Sequence, residues 1–367
     1  MAKSTSKDVM SAQTLLAKRV QDMVLQGGEE EEIPLLYVCR KKERDEDDDV
    51  YLAPIPVIDV NQASMDLEEL ERLKLALCSW GCFQAIGHGI SSSLLNSVRK
   101  AGREFFLQPM VEKMKYAKEV EEFEGYGGDP PPEEGQPLDW QDRLFLDVYP
   151  QHRRKLHLWP ENPSSFREVL MKYTEKLKLM TETVSKVMAK CLDLEEECFI
   201  NLFGEEAPFQ ARFSYYSPSR RPDLVLGLKA HADNSGYTLI LQDEVQGLQI
   251  LKDGKWLTVP AYPEAILVLL GDQMEILTNG TFKSPVHRVL SNAAKARTSI
   301  AVFYTPEQGK GIGPIDGLIN EEMNKPRMYK HMEDYDNIHW EYYQKGLRAI
   351  HLAKIEKFYL EDEAACS

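Results

Sequence analysis

The sequence predicts a mostly β core with flanking helices, preceded by an α+β N-terminal part. Two changes of texture carry this reading. From about Gln210 to Tyr304, short runs rich in Val, Ile, Leu, Phe and Tyr alternate with turn pairs such as Asp253-Gly254 and Asn279-Gly280, the pattern of antiparallel strands. Before and after that stretch, apolar residues recur at helical spacing. The chain has 367 residues, 43% of them hydrophobic, enough for one large domain or two small ones with a buried core. Four segments follow: an N-terminal helix and charged linker (1–50), a largely helical region (51–200), the β unit (201–310) and a helical tail (311–367).

The elements can be justified in order. Met10, Leu16, Val20, Met23 and Val24 share helical spacing over 9–26, and Gly27-Gly28 stops the helix. Two charged stretches, 29–32 and 41–49, read as linker around a short segment, 33–37. Ile55-Pro56-Val57-Ile58-Asp59 reads as the first strand of the main body. Asp66 is placed to cap a helix running through Ser79. Cys82 to Ile86 reads as a strand, and Ser91 to Ser93 cap a helix reaching Phe106. Residues 123–140, with Pro130-Pro131-Pro132 at their centre, read as a long surface loop of the kind that forms lids. Ser165-Phe166-Arg167-Glu168 has the form of a capping box, opening a helix to about Cys191. The tail from Tyr342 to Tyr359 returns to helical spacing.

Charge and cysteine usage exclude several classes. A net charge of −15 opposes binding to nucleic acid or an anionic membrane, where Lys and Arg clusters do the work. The six cysteines form no Cys-x-x-Cys pair, which points to reduced thiols and a cytoplasmic protein. The N-terminal residues lack the apolar stretch of a signal peptide, and the longest apolar run, Ala265 to Leu270, is far too short to span a bilayer. A small-molecule substrate is therefore expected, with no obligate protein partner.

One constellation carries chemistry. Side chains alternate across a strand, so His231 and Asp233 can reach one ion together. His287 follows 54 positions after Asp233, far enough to come from another strand. Two histidines and one carboxylate leave half of an octahedral coordination sphere open, as in non-haem Fe(II) oxygenases. Catalytic zinc uses the same ligand types, so zinc hydrolysis stays open on these residues alone. Arg297 and Ser299, starting ten residues after His287, also share a strand face. A guanidinium grips a carboxylate through two parallel hydrogen bonds, and a hydroxyl adds a third. In that position the pair reads as a clamp for 2-oxoglutarate. Arg212, Ser214 and Tyr216 alternate on one strand, and the Tyr216 phenol can donate to the far carboxylate of that cosubstrate.

At these residues the chain resembles the plant 2-oxoglutarate- and Fe(II)-dependent dioxygenases of specialised and hormone metabolism. The likeness runs from about Ile55 to Pro306. It includes Trp80-Gly81-Cys82-Phe83, His88-Gly89-Ile90, Tyr215-Tyr216, His231-Ala232-Asp233, Gly247-Leu248-Gln249, Gly271-Asp272, His287-Arg288 and Arg297-Thr298-Ser299. Its texture is similar to the branch with flavonoid oxygenases and alkaloid O-demethylases. The resemblance implies a distorted double-stranded β-helix (jelly-roll) core. It implies His231, Asp233 and His287 as iron ligands, and Tyr216, Arg297 and Ser299 as the 2-oxoglutarate site. Two departures stand out: Ser214 replaces the usual Asn before the Tyr-Tyr pair, shortening one cosubstrate contact, and Gly87 replaces the Asn before His88-Gly89. His88 is read as structural.

The implied reaction uses Fe(II), 2-oxoglutarate and O2, with ascorbate as a candidate reductant. It releases succinate and CO2, and it hydroxylates, desaturates, ring-closes or O-demethylates a small, largely apolar or aromatic plant metabolite. Phe303, on the alternation of Arg297 and Ser299, is a candidate substrate contact. So are Phe145, Tyr126 and Phe358, with Tyr342 and Tyr343 in the tail. The alternatives are a hormone-modifying oxygenase, a non-catalytic binding homologue, and a nucleic-acid or protein demethylase.

Overall fold

Two β-sheets with an apolar filling between them form the centre of the molecule. The computed structural model describes residues 19–26, 32–39, 51–119, 122–130, 133 and 135–355. The strands are β1 (Val57–Asp59), β2 (Cys82–Ile86), β3 (Gly125–Gly127), β4 (Asp142–Tyr149), β5 (Phe209–Tyr216), β6 (Leu226–His231), β7 (Tyr237–Gln242), β8 (Leu248–Lys252), β9 (Lys255–Thr258), β10 (Ile266–Leu270), β11 (His287–Leu290) and β12 (Arg297–Tyr304). The larger sheet has the order β1-β2-β10-β7-β12-β5-β4-β3, and the smaller has β6-β11-β8-β9. Tyr216, Ile240, Leu267 and Leu269 of the large sheet meet Leu228, Leu248, Ile250 and Val289 of the small one in a single buried cluster. This is the double-stranded β-helix expected, with helices packed around it.

The helices are α1 (Val20–Gln26), α2 (Val60–Ala63), α3 (Leu67–Ser79), α4 (Ser92–Phe106), α5 (Met110–Lys113), α6 (Phe166–Cys191), α7 (Cys198–Phe203), α8 (Asp272–Leu277), α9 (Tyr335–Gln344) and α10 (Ile350–Ala353). The long helix α6 buries Leu170, Tyr173, Leu177, Val184 and Met188 in the cluster that covers the outer face of the large sheet. Alternation does the sorting. Phe209, Ala211 and Phe213 of β5 enter that outer cluster, while Tyr216 enters the inner one. Asp66 caps α3 by accepting from the Glu68 N–H, and the Ser91 hydroxyl accepts from Leu94 N–H at the start of α4.

Several expectations need correction, and others stay open. Ser165 makes no side-chain cap to α6, because its backbone is already helical at φ −80°, ψ −11°; the first turn is instead closed by Phe166 N–H to Pro163 O at 2.9 Å. The stretch 123–140 is not loop throughout: β3 lies within it and pairs with β4, Tyr126 opposite Leu144. The tail is two short helices rather than one continuous helix from Tyr342. Gly346, at φ +67°, ends the first, as a glycine in the left-handed region does. The proposed boundary at 200 does not divide the large sheet, since β1 to β4 come from before it. The helix expected over 9–26 is described only as α1, and Pro131, Pro132, most of the two charged stretches and Phe358 lie outside the described residues.

Candidate active site

At the end of β6, side chains of the types that bind metals converge. β11 pairs with β6 so that His287 lies directly opposite His231. The ring centroids are 4.2 Å apart. Asp233 is not on the strand, as alternation suggested: β6 ends at His231, and the carboxylate comes from the turn that follows. That turn is held by Asp272 N–H donating to Asp233 O at 2.8 Å. It also needs Gly271, where a Cβ would fall 2.1 Å from Ser235 O. One Asp233 oxygen, Oδ1, lies 3.4 Å from His231 Nε2 and 3.6 Å from His287 Nε2. The three ligand atoms all lie within 4.8 Å of one another.

The surroundings prepare these groups for a cation. His231 Nδ1 lies 2.9 Å from Lys229 O, and His287 Nδ1 lies 3.3 Å from Pro285 O. A carbonyl only accepts, so each Nδ1 carries the hydrogen and each Nε2 presents its lone pair to the centre. Thr238 Oγ1 donates to the other Asp233 oxygen at 2.5 Å, leaving Oδ1 for the ion. Burial alone would push the Asp233 carboxyl up, but His287, His231 and the Thr238 hydroxyl outweigh it and hold it below the ordinary carboxylate range. Burial, with His231 beside it, pushes the His287 imidazole down to about 4 against the pull of Asp233. At neutral pH the cluster is thus one anionic carboxylate and a neutral His287, a donor set that fits Fe(II) with one face left open.

The large sheet brings together the residues expected to form the clamp. β12 pairs with β5 so that Arg297 is opposite Tyr216 and Ser299 is opposite Ser214. The four candidate cosubstrate residues therefore form one block. The Arg297 guanidinium sits 5.1 Å over the Tyr216 ring. Its Nη2 donates to Gln242 Oε1 at 3.0 Å, its Nε to Val245 O at 3.1 Å, and its Nη1 reaches Ser299 Oγ at 3.4 Å. Gly247 makes room for the arginine stem: a Cβ there would lie 3.1 Å from Arg297 Cδ. Ser214 Oγ accepts from Arg212 Nε at 3.3 Å.

A cavity of about 440 Å³ opens from His231 and Asp233. One wall is Phe145 and Phe303, stacked at 6.1 Å. The other is α9, which presents Asp336, His339, Trp340 and Tyr343 at helical spacing. Trp340 stacks on Tyr343 at 5.6 Å, and Phe123 meets Trp340 edge-on at 4.4 Å. Tyr126 does not line this cavity. Its strand position puts it on the Leu144 face, fully buried against Phe105 at 5.6 Å, whereas Phe145 faces the cavity. Tyr342 is half-buried and packs on the outer cluster. His88 Nε2 lies 3.0 Å from Glu264 O, and His88 is not part of the His231, Asp233 and His287 cluster.

Sequence reasoning missed several groups here. Thr238 and Gln242 lie on β7 and act only through strand pairing, which no local motif announces. Asp129 pairs with Arg212 at 2.7 Å and with Arg143 at 2.5 Å in the cavity wall. Burial would raise the Asp129 carboxyl, but the two guanidiniums hold it well below the usual range. The α9 stripe did leave a signal: Asp336, His339, Trp340 and Tyr343 fall at i, i+3, i+4 and i+7.

Comparison with known proteins agrees with this geometry. Residues 206–306 match the 2OG-Fe(II) oxygenase superfamily, and residues 55–162 match the non-haem dioxygenase in morphine synthesis N-terminal family. Protein SRG1 of Arabidopsis thaliana is 39% identical over 305 residues, covering 81% of this chain and 84% of that protein. Codeine O-demethylase of Papaver somniferum is 38% identical over 282 residues, covering 75% and 78%. A crystal structure of JOX2 in complex with 2OG, Fe, and JA superposes with a TM-score of 0.79 at 35% identity, covering 88% of this chain and 92% of that one.

Proposed function

The chain belongs to the 2OG-Fe(II) oxygenase superfamily, and from that premise we propose which of its residues run the chemistry and what kind of substrate it takes. It is an oxidoreductase that uses Fe(II) and 2-oxoglutarate. Its relatives include enzymes named for specialised metabolites. In our reading His231 Nε2, Asp233 Oδ1 and His287 Nε2 hold the metal, and Arg297, Ser299 and Tyr216 hold the distal carboxylate of 2-oxoglutarate. Ser214 is a further contact on that face. When bound, these groups with O2 supply the oxidising power, and the products are succinate, CO2 and an oxidised substrate.

The protein's part is placement. Thr238 fixes which Asp233 oxygen faces the metal, and Gln242 and Val245 fix the Arg297 guanidinium. Phe145, Phe303, Trp340 and Tyr343 surround the remaining space and exclude water from the reacting carbon. A cavity of about 440 Å³ with aromatic walls suits a small, largely apolar or aromatic plant metabolite. The cysteines at 78, 82, 191 and 198, none of them in a disulfide, support a reducing, cytoplasmic setting. No helix among the described residues is long and apolar enough to cross a membrane.

The observation that carries this reading is the pairing of His231 with His287 across β6 and β11, with Asp233 Oδ1 within 3.6 Å of both rings. Its test is succinate release by the purified protein with Fe(II), 2-oxoglutarate and O2 across a metabolite library. Substrate-dependent succinate is expected with at least one aromatic compound. Succinate no higher than in a protein-free blank, for every compound, would contradict it.

A further inference from the structure

The charges around the cavity are unequally matched. Among the described residues two cationic side chains line it, Arg153 and Arg212. Arg212 gives both terminal nitrogens to Asp129, at 2.7 and 3.2 Å, and Asp129 also takes Arg143. Arg153 lies 3.6 Å from Asp147. Both guanidiniums thus already face a protein carboxylate. The acids are different. Asp129 is neutralised, and Asp233 faces the metal position. Asp336 receives only neutral donors: Asn234 Nδ2 at 2.7 Å and Gln273 Nε2 at 2.8 Å, both on Oδ1. Among the described residues no lysine or arginine pairs with it.

Asp336 also has the neighbours that a cation prefers. It opens α9, and Trp340 stands one turn further on the same face. Tyr343 and Phe123 extend the aromatic surface on either side of Trp340. A carboxylate beside exposed ring surface attracts an ammonium through both charge and the ring quadrupole, while a carboxylate ligand meets repulsion. Asn234, which holds Asp336, is the chain neighbour of Asp233, so the anchor sits on the metal side of the cavity.

We propose that this cavity takes an aromatic substrate bearing a protonated amine, and that Asp336 recognises the amine. The proposal rests on the oxygenase reading for the identity of the cavity, but its test needs no turnover. Three ligands on one skeleton are compared: N-methyltetrahydroisoquinoline, an ammonium at neutral pH; methyltetralin, its uncharged analogue; and tetralin carboxylate. Dissociation constants are measured by calorimetry on the full chain with Fe(II) and 2-oxoglutarate, without O2. An exposed ion pair together with a cation–π contact gives an expected preference of about tenfold for the amine over its uncharged analogue. The carboxylate is expected to bind weakest. D336N, which keeps an acceptor for Asn234 and Gln273, lowers the amine preference to the few-fold that the ring contact alone supplies, and D336E retains the full preference. Tighter binding of the carboxylate, or an amine preference left undiminished in D336N, overturns the proposal. Failure to form succinate in a separate assay would count against the oxygenase reading and leave this ranking standing.

Discussion

Arg297 shows how one side chain can be both legible and incomplete in a sequence. Its identity and its distance from His287 point to a carboxylate clamp, because few other side chains offer a rigid fork of donors. Its orientation depends on Gln242 and Val245, which become neighbours only when β7 pairs with β12. Arg297→Ala should raise the KM for 2-oxoglutarate by about 10- to 100-fold, the loss of one or two charge-assisted hydrogen bonds, with Arg297→Lys restoring only part. Steady-state kinetics in 2-oxoglutarate check this, and an unchanged KM would remove Arg297 from the clamp. The candidate iron ligands were legible for a similar chemical reason: imidazole and carboxylate at short spacing are a ligand set. Tyr126 was misread because a side chain's face depends on strand register, and residue type says nothing about register. His231 and Asp233 were paired by strand alternation, yet the second comes from a turn. The turn that carries Asp233 is held by Gly271 and Asp272.

At the scale of elements, most strands and helices were visible from periodicity, and the β unit expected from about Gln210 to Tyr304 runs from Phe209 to Tyr304. The contacts between elements were not visible. Asp142, at the start of β4, is an example. It is buried and accepts from Gln21 N–H at 2.7 Å, pinning α1 against the sheet. Burial pushes its carboxyl up to about 6, against the lowering pull of the Gln21 amide and Arg19. Between roughly pH 4 and 6 the folded protein therefore keeps a proton that the unfolded chain has released. Stability from this group is present below the unfolded value and is lost as pH rises through that window, by about 3 kcal/mol in all. In D142N, which has no such proton, the fall should be absent. Urea denaturation of both proteins at a series of pH values checks it. Parallel stability curves for the two would mean that Asp142 does not titrate across this window. The α9 stripe is an element-scale feature too. Its acid and aromatics shared one helical face in the sequence, but only packing beside Ala232 (His339 Nε2 to Ala232 O, 2.9 Å) turns that face towards the metal ligands.

For the whole molecule, the sequence implied separate N-terminal and core segments, and the structure interleaves them. β2 pairs with β10 and β4 with β5, so strands from before residue 200 flank the strands of the β unit on both sides. The helix α6 then covers the outer face that the β unit exposes. Such long-range pairing leaves no local trace. A fragment beginning at residue 201 should therefore fail to fold, because it bares two strand edges and a large apolar face. Circular dichroism and thermal unfolding of that fragment test this, and a cooperative melt would show that the β unit is autonomous. The same interleaving packs the strands that carry the two imidazoles against the sheet that carries Arg297. The most direct test of the metal site is the visible charge-transfer absorption that a 2-oxo acid develops on chelating Fe(II), recorded without O2. The full-length protein is predicted to give this band with one iron per chain. His231→Ala and His287→Ala, still folded by circular dichroism, are predicted to lose it. An undiminished band in either folded variant would place the iron elsewhere and contradict the account.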